Sequence, residues 1–356
     1  RFFMYVKYRR LAEQLRDLIR VSIKNGVPKL PTEMELCSQF HVSRQTVRQS
    51  LALLCEEGLI SRRQGSGYYL TGRLPGAESS TIGLLLSNSQ EYLYPALIDD
   101  IKSRLIAAGF SLQVYTTDSR FDKEREVLEQ ILKNPLRGLI IEGCKSALPN
   151  PNLDLYKALL QKELPLLFLS NYYDGLPEVS YIKDNNAYGS YLLISRLADA
   201  GPTQIAGIFQ SDEKQGLERF QGFAACLRDS GCPLSDHHLL WYDSETLKQL
   251  QKNQDTAFLS AFLEKNMTDC TAVVCHNDEI AYWLIRELQY RGMEIPRDMT
   301  VACFERSYLS ELGGVPVISL SHKPHEVGNA AADAMLEICK GLPASRAEIP
   351  WQLYER

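Results

Sequence analysis

From Thr81 onward, the sequence alternates short apolar runs with amphipathic helical patterns. The runs predicted to be strands are IGLLLS, SLQVYT, GLIIEG, PLLFLS and SYIKD, followed by QIAGIFQ, HLLWYD, TAVVCHN, TVACFER and VISLS. Short buried strands separated by helices are typical of parallel sheets with crossover helices, and two similar sets favour an α/β fold of two doubly wound lobes. Ligands of such sheets bind beyond the carboxyl ends of the strands, so we expect a ligand cleft between the lobes.

The N-terminal part of the chain has a different pattern, which predicts a small winged helix-turn-helix. Helical periodicity covers 8–25 and 32–40, and a third helix is expected to begin after Ser43 and to end at Gly58. Residues 59–70 then predict two short strands joined by a Gly-Ser-Gly turn.

A linker is predicted between these two parts. The segment RLPGAESS combines Pro, Gly and Ser without an apolar period. The predicted domains are therefore a winged helix-turn-helix at 1–72, a linker at 73–80, and a two-lobed domain at 81–356.

Charge is distributed unevenly along the chain. Residues 1–73 contain 13 Lys and Arg against 6 Asp and Glu, whereas the remainder contains 26 against 38. A basic head on an acidic body is expected when only the head meets phosphate, because counterion release rewards clustered Lys and Arg. The predicted partner of the head is double-stranded DNA.

Composition argues against several other classes of protein. The nine cysteines lack a Cys-x-x-Cys pair or zinc spacing and indicate reduced core thiols; a metal site from Cys270, Cys275 and His276 is the less favoured alternative. No Gly-x-Ser-x-Gly, phosphate-binding glycine loop or His-Glu-x-x-His motif occurs, so neither an enzyme, a cofactor nor a metal is predicted. Without a signal-peptide pattern or a long apolar span, a cytoplasmic location is expected.

The third helix carries the residues expected to meet DNA. Val47, Leu51 and Leu54 form one apolar stripe, which turns Arg44 and Arg48 outward. Arg pairs with guanine, Gln pairs with adenine, and a helix N-terminus favours phosphate. The residues predicted to bind DNA are Ser43, Arg44, Gln45, Thr46, Arg48, Arg62, Arg63 and Gly65, the last three in the wing. The alternative is a solvated face of a small helical domain.

Polar residues follow several of the predicted strands and are the candidate effector ligands. Carboxylates, an amide and a guanidinium beside an aromatic ring suit a polyhydroxylated ligand. The candidates are Asn88, Ser89, Tyr94, Asp184, Asn185, Arg219, Asn277, Asp278 and Glu305. Taken singly, each of these residues is more often a helix cap or a surface residue. Their common placement after strands favours a shared binding site.

The head resembles the gluconate-repressor (GntR) family of winged helices over about residues 8–72. The matching residues are Leu30-Pro31-Thr32-Glu33, Leu36, Val42 through Arg48, Leu51, Leu54, Glu57-Gly58 and Arg63 through Gly67. The resemblance implies DNA binding through Arg44, Arg48 and the wing. Met34 stands where that family usually has a DNA-contacting Arg.

The body resembles the lactose/galactose-repressor family and related periplasmic sugar-binding proteins. The matching residues are Ile82 through Leu85, Tyr94, Asp184-Asn185, Gly189, Arg219, Gly222-Phe223, Asn277 through Ala281, Gly292, Ile295-Pro296, Asp298, Lys323-Pro324 and Gly328. The resemblance implies that Asp184, Arg219 and Asn277 bind effector and that Tyr94 stacks on it. Glu305 replaces the family's usual Asp and extends one methylene further.

A GntR-type head on this type of body is the arrangement of the arabinose-repressor type of regulator. It implies a homodimeric repressor of carbohydrate genes, with a sugar such as L-arabinose as effector. The alternatives are a regulator with a non-sugar effector, a regulator fused to an aminotransferase-like enzyme, and a transport-type solute receptor. The basic head disfavours the solute receptor, and the enzyme would need a much longer domain.

Overall fold

The computed structural model describes residues 2–63, 65–72, 80–89, 92–176, 178–199 and 204–355. Apart from Ser80, the predicted linker lies outside these residues. The chain contains a helical head with a hairpin, followed by two α/β lobes. Among the described residues, no helix is both long and apolar enough to cross a membrane.

The head is the predicted winged helix-turn-helix. Its elements are α1 (Phe2–Lys24), α2 (Glu33–Phe40), α3 (Arg44–Glu56), β1 (Ile60–Arg63) and β2 (Gly67–Leu70), the strands being antiparallel. The Ser43 hydroxyl accepts a hydrogen bond from the Thr46 backbone and caps α3, as the sequence predicted. One apolar core joins the three helices; it includes Leu11, Leu15, Ile19, Leu36, Val47, Leu51 and Leu54.

Two six-stranded sheets form the body, and all ten predicted strands are present. Its strands are β3 (Thr81–Leu86), β4 (Ser111–Thr116), β5 (Gly138–Ile141), β6 (Leu166–Leu169), β7 (Ser180–Asp184), β8 (Ile205–Gln210), β9 (Leu239–Tyr242), β10 (Ala272–Cys275), β11 (Thr300–Phe304), β12 (Ile318–Ser321), β13 (Arg346–Ile349) and β14 (Gln352–Tyr354). The sequence did not predict β13 and β14. The sheet orders are β13-β7-β6-β5-β3-β4 and β14-β12-β11-β10-β8-β9, parallel except for the β12–β14 pair.

Helices cover both faces of each sheet, as the uniform burial of β5, β6, β8 and β10 requires. The helices are α4 (Tyr94–Ala107), α5 (Phe121–Lys133), α6 (Leu153–Gln161), α7 (Asn186–Asp199), α8 (Lys214–Asp229), α9 (Ser244–Asn253), α10 (Ala257–Asn266), α11 (Asp278–Tyr290), α12 (Leu309–Leu312) and α13 (Glu326–Cys339). All nine cysteines are free and six are buried, in agreement with the interpretation as core thiols.

The chain passes between the lobes three times. It leaves the N-terminal lobe after β7 and enters α7, which packs on the second lobe. It returns after β12 through α13, which packs against α4, and crosses again between β13 and β14. The three crossover segments, at 184–186, 321–326 and 349–352, together form the hinge between the lobes.

Close packing of α7 against α8 depends on Gly222. A Cβ at this position would lie 1.9 Å from the Ala187 carbonyl oxygen, which is backbone and cannot rotate away. We expect Gly222→Ala to force the two helices apart and to lower the free energy of unfolding by about 1–3 kcal/mol. Urea unfolding would measure the loss. Gln221→Ala, on the exposed face of the same helix, is the control, and an equal effect of both substitutions would contradict this account.

Candidate DNA interface and effector cleft

The recognition helix α3 follows α2 after a short turn. His41 ends α2 in the left-handed conformation, and Ser43 begins the next helix in extended conformation. Arg44 and Arg48 lie one helical turn apart, with 64% and 57% of their side chains exposed. Gln45 is also exposed. Three of the predicted base-contacting side chains therefore share one accessible face, suited to the major groove.

One carboxylate holds both arginines. Glu33 Oε2 lies 3.0 Å from Arg44 Nε and 2.9 Å from Arg48 Nε. Burial opposes ionisation, but the hydrogen bonds from the two arginines outweigh it and lower the pKa of Glu33. The carboxylate therefore stays charged at neutral pH and holds the two guanidinium groups side by side.

Thr46 differs from the other predicted residues in being buried, with 5% exposure. Its hydroxyl lies 2.9 Å from the Ser43 hydroxyl, at the start of the recognition helix. Ser43 is exposed, so of the two hydroxyls it is the one accessible to a phosphate. Thr46 contributes to the shape of this helix terminus.

The wing presents cations over tyrosine rings. The Arg63 guanidinium lies 4.3 Å from the centre of the Tyr69 ring, and Arg62 lies 6.0 Å from that of Tyr68. Gly65 has a φ of +72° at the turn, with open space where a side chain would stand. This backbone conformation favours glycine and leaves the tip free for close approach to another surface.

A cleft of about 730 Å³ separates the two lobes. Both sheets direct the carboxyl ends of their strands at it, as the sequence predicted for a doubly wound fold. Residues that line it include Asn88, Tyr94, Glu142, Asp184, Asn277 and Glu305. Five of the nine predicted effector ligands therefore line one cavity, and Arg219 lies directly behind it. Ser89, Asn185 and Asp278 are not among the lining residues.

Arg219 forms the base of the cleft on the second lobe. It is fully buried, and its Nη2 lies 3.0 Å from Glu305 Oε1. Its Nε donates to Asn186 Oδ1 at 2.9 Å, and its Nη1 donates to the His276 carbonyl oxygen. These contacts use three of the five N–H groups of the guanidinium and position Glu305 and the loop after β10. Arg219 therefore lies behind the cleft and supports it, and its direct contact with an effector stays a prediction.

Asn277 and Asp184 complete this side of the cleft. The Asn277 side-chain oxygen accepts from the Ile280 backbone at 3.1 Å and caps α11. Asp184 ends β7 at the first crossover, and its carboxylate lies 2.8 Å from His322 Nε2. Burial of His322 disfavours its charge, but pairing with Asp184 outweighs burial and raises the pKa of the imidazole.

Tyr94 lines the cleft on the side of the N-terminal lobe. Its hydroxyl lies 2.6 Å from Ser87 Oγ and 3.1 Å from Glu142 Oε2. Burial raises the pKa of Glu142, and the hydrogen bonds from Ser87 offset part of that rise. Asn88 turns its side chain to its own loop and accepts from the Ser89 backbone.

Glu213 connects the lobes at the floor of the cleft. Its carboxyl group, at the start of α8, accepts from the backbones of Lys145 and Ser146 in the other lobe, at 3.0 and 3.2 Å. The Ser146 hydroxyl also donates to it at 2.7 Å. Burial raises the pKa of Glu213 to about 8, so the group is mainly protonated at neutral pH.

Tyr92 reaches across the cleft from the first lobe. Its hydroxyl contacts the carboxylates of Asp278 and of Glu305, the latter at 2.9 Å. Burial and the two adjacent carboxylates raise the pKa of this phenol well above its usual value, so it stays protonated. Tyr92 therefore brings one neutral O–H donor between two acids of the second lobe, and its single proton can be donated to only one of them at a time.

Sequence reasoning did not select Tyr92, Glu142, Glu213, His322 or Trp351 as site residues. Glu142 directly follows a predicted strand, so the rule that selected Asp184 would also have found it. Trp351 lies between the two strands that the sequence did not predict. Tyr92 and His322 reach the cleft from loops, and strand periodicity gives no signal for them.

Comparison with known proteins agrees with both halves of this arrangement. Residues 7–70 match the model of the gntR family of bacterial regulatory proteins, and residues 194–356 match the periplasmic binding protein-like domain. The chain is 29% identical over 340 residues to an arabinose metabolism transcriptional repressor of Halalkalibacterium halodurans, covering 94% of this chain and 89% of the relative. It is 30% identical over 336 residues to a repressor of that name from Geobacillus stearothermophilus, covering 93% and 91%.

Solved structures show the same architecture. The transcriptional regulator CelR in complex with cellobiose has a TM-score of 0.68 and 20% identity, over 88% of this chain and 90% of that chain. A periplasmic binding protein/LacI transcriptional regulator from Alkaliphilus metalliredigens has a TM-score of 0.65 and 19% identity, over 78% of this chain and 98% of that chain.

A winged helix-turn-helix joined to a two-lobed body with a cleft defines a DNA-binding transcription regulator. Because its relatives regulate transcription, the chain is a regulator and not an enzyme. The chain belongs to the family of the arabinose metabolism transcriptional repressors, with a GntR-type head and a periplasmic-binding-protein-like body.

Proposed function

We propose that this chain represses genes of carbohydrate uptake or catabolism. A neutral sugar bound between the lobes controls its affinity for DNA. The observation that carries the proposal is the cleft at the strand ends of both sheets, attached to a helix that exposes Arg44, Gln45 and Arg48. A ligand there can change the angle between the lobes and with it the position of the head. Coupling requires different effector affinities in the DNA-competent and released states.

The chemistry of the cleft favours a neutral polyhydroxylated ligand. Carboxylates of Asp184, Glu305 and Glu279 line it, together with polar groups of Asn88 and Asn277. Carboxylates accept hydrogen bonds from sugar hydroxyls but repel phosphate at short range. The guanidinium of Arg219, which could have offset that repulsion, is occupied by Glu305. We therefore expect free sugars to bind in the cleft more tightly than sugar phosphates.

The names of the relatives and the ligands of the structural neighbours support a sugar as the effector, and a binding screen is needed to identify which sugar. Two relatives are named as arabinose metabolism repressors, and the structural neighbours above were solved with cellobiose and with D-xylulofuranose. L-Arabinose is the first candidate. The cleft volume of about 730 Å³ lies in the range of small-molecule sites and leaves room for a larger sugar.

A thermal-shift screen tests the effector. A ligand at 100 times its dissociation constant adds about 2.7 kcal/mol of stability, which corresponds to a rise in melting temperature of about 5–10 °C. We expect L-arabinose or another free sugar to produce such a rise, and the corresponding sugar phosphates to produce less than a third of it. If only phosphates or only non-sugar metabolites shift the melt, the sugar assignment fails. The regulator with a non-sugar effector then replaces it.

The remaining parts of the proposal concern assembly and place. We propose the division into a DNA-binding domain at 1–72, a linker at 73–80 and an effector-binding and dimerisation domain at 81–356. A homodimer would set two heads on a pseudo-palindromic operator in the cytoplasm, where the DNA is. Sedimentation of the chain with and without operator DNA would test this, since one head per operator would contradict it.

A further inference from the structure

A single imidazole contacts all three crossover segments of the hinge. His322 lies in the second crossover, and its Nε2 is 2.8 Å from Asp184 Oδ1 in the first. Its Nδ1 is 3.1 Å from the Pro350 carbonyl oxygen in the third. Its ring also stacks on the adjacent Trp351, with ring centres 3.9 Å apart and planes 25° apart. The segments are far apart in sequence, so His322 connects parts of the chain that would otherwise move separately.

The two polar partners of the ring are both acceptors. A carboxylate and a backbone carbonyl have no proton to donate, whereas a neutral imidazole donates from one nitrogen and accepts at the other. If Nδ1 donates to the Pro350 carbonyl, a neutral ring would leave the unprotonated Nε2 2.8 Å from a carboxylate oxygen, which is repulsive. Only the imidazolium makes this contact attractive, as an ion pair that lacks the alignment of a hydrogen bond. The geometry therefore matches the charged form of His322.

We propose that His322 is the clasp of the hinge. As an imidazolium it holds the three crossovers in one arrangement and positions the Asp184 carboxylate at the cleft, so that losing the proton loosens the hinge and weakens effector binding. His322 is thus a positioning residue. The part of the inference that concerns the effector rests on the proposed function, and the part that concerns the hinge does not.

The charges around the ring favour its protonation. The charged groups that act on the ring are Asp184 in the first crossover and Glu305 after β11. Arg219 lies over the other ring of the stack, Trp351, and on the segment of His322 the Glu326 carboxylate accepts from the Lys323 backbone. The ring is shielded from water, with 13% of its side chain exposed. Desolvation lowers the pKa of His322. Asp184 and the Pro350 carbonyl together raise it by a larger amount, so the net pKa lies above the usual value.

The direction of the pH dependence follows from this shift. A histidine whose pKa is higher in the folded chain than in the unfolded chain stabilises the fold fully at pH values below its unfolded pKa. This contribution disappears as the pH rises through the folded pKa. The clasp should therefore hold fully below the unfolded pKa of about 6.5 and should release as the pH rises through the higher folded pKa.

The test compares melting temperatures of the full chain at several pH values for the wild type, His322→Gln and His325→Gln. His325 also pairs with a carboxylate, Asp100 Oδ1 at 2.6 Å, but it is 70% exposed and serves as the matched control. We expect His322→Gln to melt about 3–6 °C below the wild type at pH 6 and to approach it by about pH 9. His325→Gln should stay within about 1 °C of the wild type throughout. A deficit of His322→Gln that is the same at all pH values would overturn the proposal.

Hydrogen exchange at one pH supplies the second measurement. His322→Gln should speed amide exchange at all three crossovers, 184–186, 321–326 and 349–352, whereas exchange confined to 321–326 would overturn the clasp. If His322→Gln does not fold, Asp184→Asn removes the carboxylate and should abolish the same pH-dependent increment. The effector part is measured last, as a thermal shift by L-arabinose that is at least halved in His322→Gln. Failure of every sugar to shift the wild type would contradict the proposed function, while the melting and exchange data would still decide the clasp.

Discussion

Replacing both Arg44 and Arg48 by Ala is expected to abolish operator-specific binding. Each side chain is more than half exposed on the face of α3 that a major groove would meet. A good Arg–base contact contributes about 1–3 kcal/mol, so the double substitution should weaken specific binding by about 30-fold to 10⁴-fold. Gel-shift titration against the promoter beside the regulator's own gene, at two salt concentrations, measures the change.

A control variant distinguishes the loss of base contacts from a general loss of positive charge. Arg228→Ala removes an exposed arginine of the body and should leave specific binding unchanged within about twofold. The double variant should retain the residual, salt-sensitive affinity for unrelated DNA that the wing arginines provide. Wild-type operator affinity in the double variant would refute the assignment of α3 as the recognition helix.

Replacing Arg219 by Met should have the largest effect within the body. Arg219 is fully buried against Glu305, Asn186 and the His276 carbonyl, so its loss leaves a carboxylate and two acceptors without their donor. Removing one partner of a buried ion pair typically costs about 3–5 kcal/mol. We expect a loss of that size in urea unfolding and no thermal shift with any sugar.

A double-mutant cycle identifies the cause. If the cost arises from the unpaired Glu305 charge, then adding Glu305→Gln should recover about 1–3 kcal/mol of the stability lost in Arg219→Met. Specific DNA binding by the head should persist in each variant at temperatures below its melting point. An additive double variant would show that Arg219 acts through packing against Phe304, whose ring centre lies 4.2 Å from the guanidinium, and not through the ion pair.

Several features of the structure were predictable from local sequence patterns. Ser43 caps α3 as predicted, since the cap is a local interaction between a side chain and the backbone three residues later. Asp184, Asn277 and Glu305 all face the cleft, because the end of a parallel strand is visible in the sequence as the point where an apolar run stops. Periodicity is thus enough to locate the strands and, through them, one edge of each sheet.

Other residues depend on distant contacts and escaped prediction. Arg219 was predicted to contact the effector; the sequence did not show that it is fully buried and bonded to the Glu305 carboxylate, 86 residues away. Thr46 was expected to reach phosphate and is buried beneath the start of its helix. The strands β13 and β14 are short and have few apolar residues, so only pairing with β7 and β12 stabilises them.

By itself, the sequence determined the winged head with its outward arginines, the two-lobed α/β body and the edge of each sheet where ligands bind. Each of these follows from local periodicity, capping and charge. Only the tertiary structure decided which polar groups meet: Glu33 with two arginines, Tyr92 with the acids of the opposite lobe, and His322 with all three crossovers. These contacts join residues from 11 to more than 200 positions apart. They depend on how the helices of the head and the two lobes of the body pack, which the local pattern of a sequence does not encode.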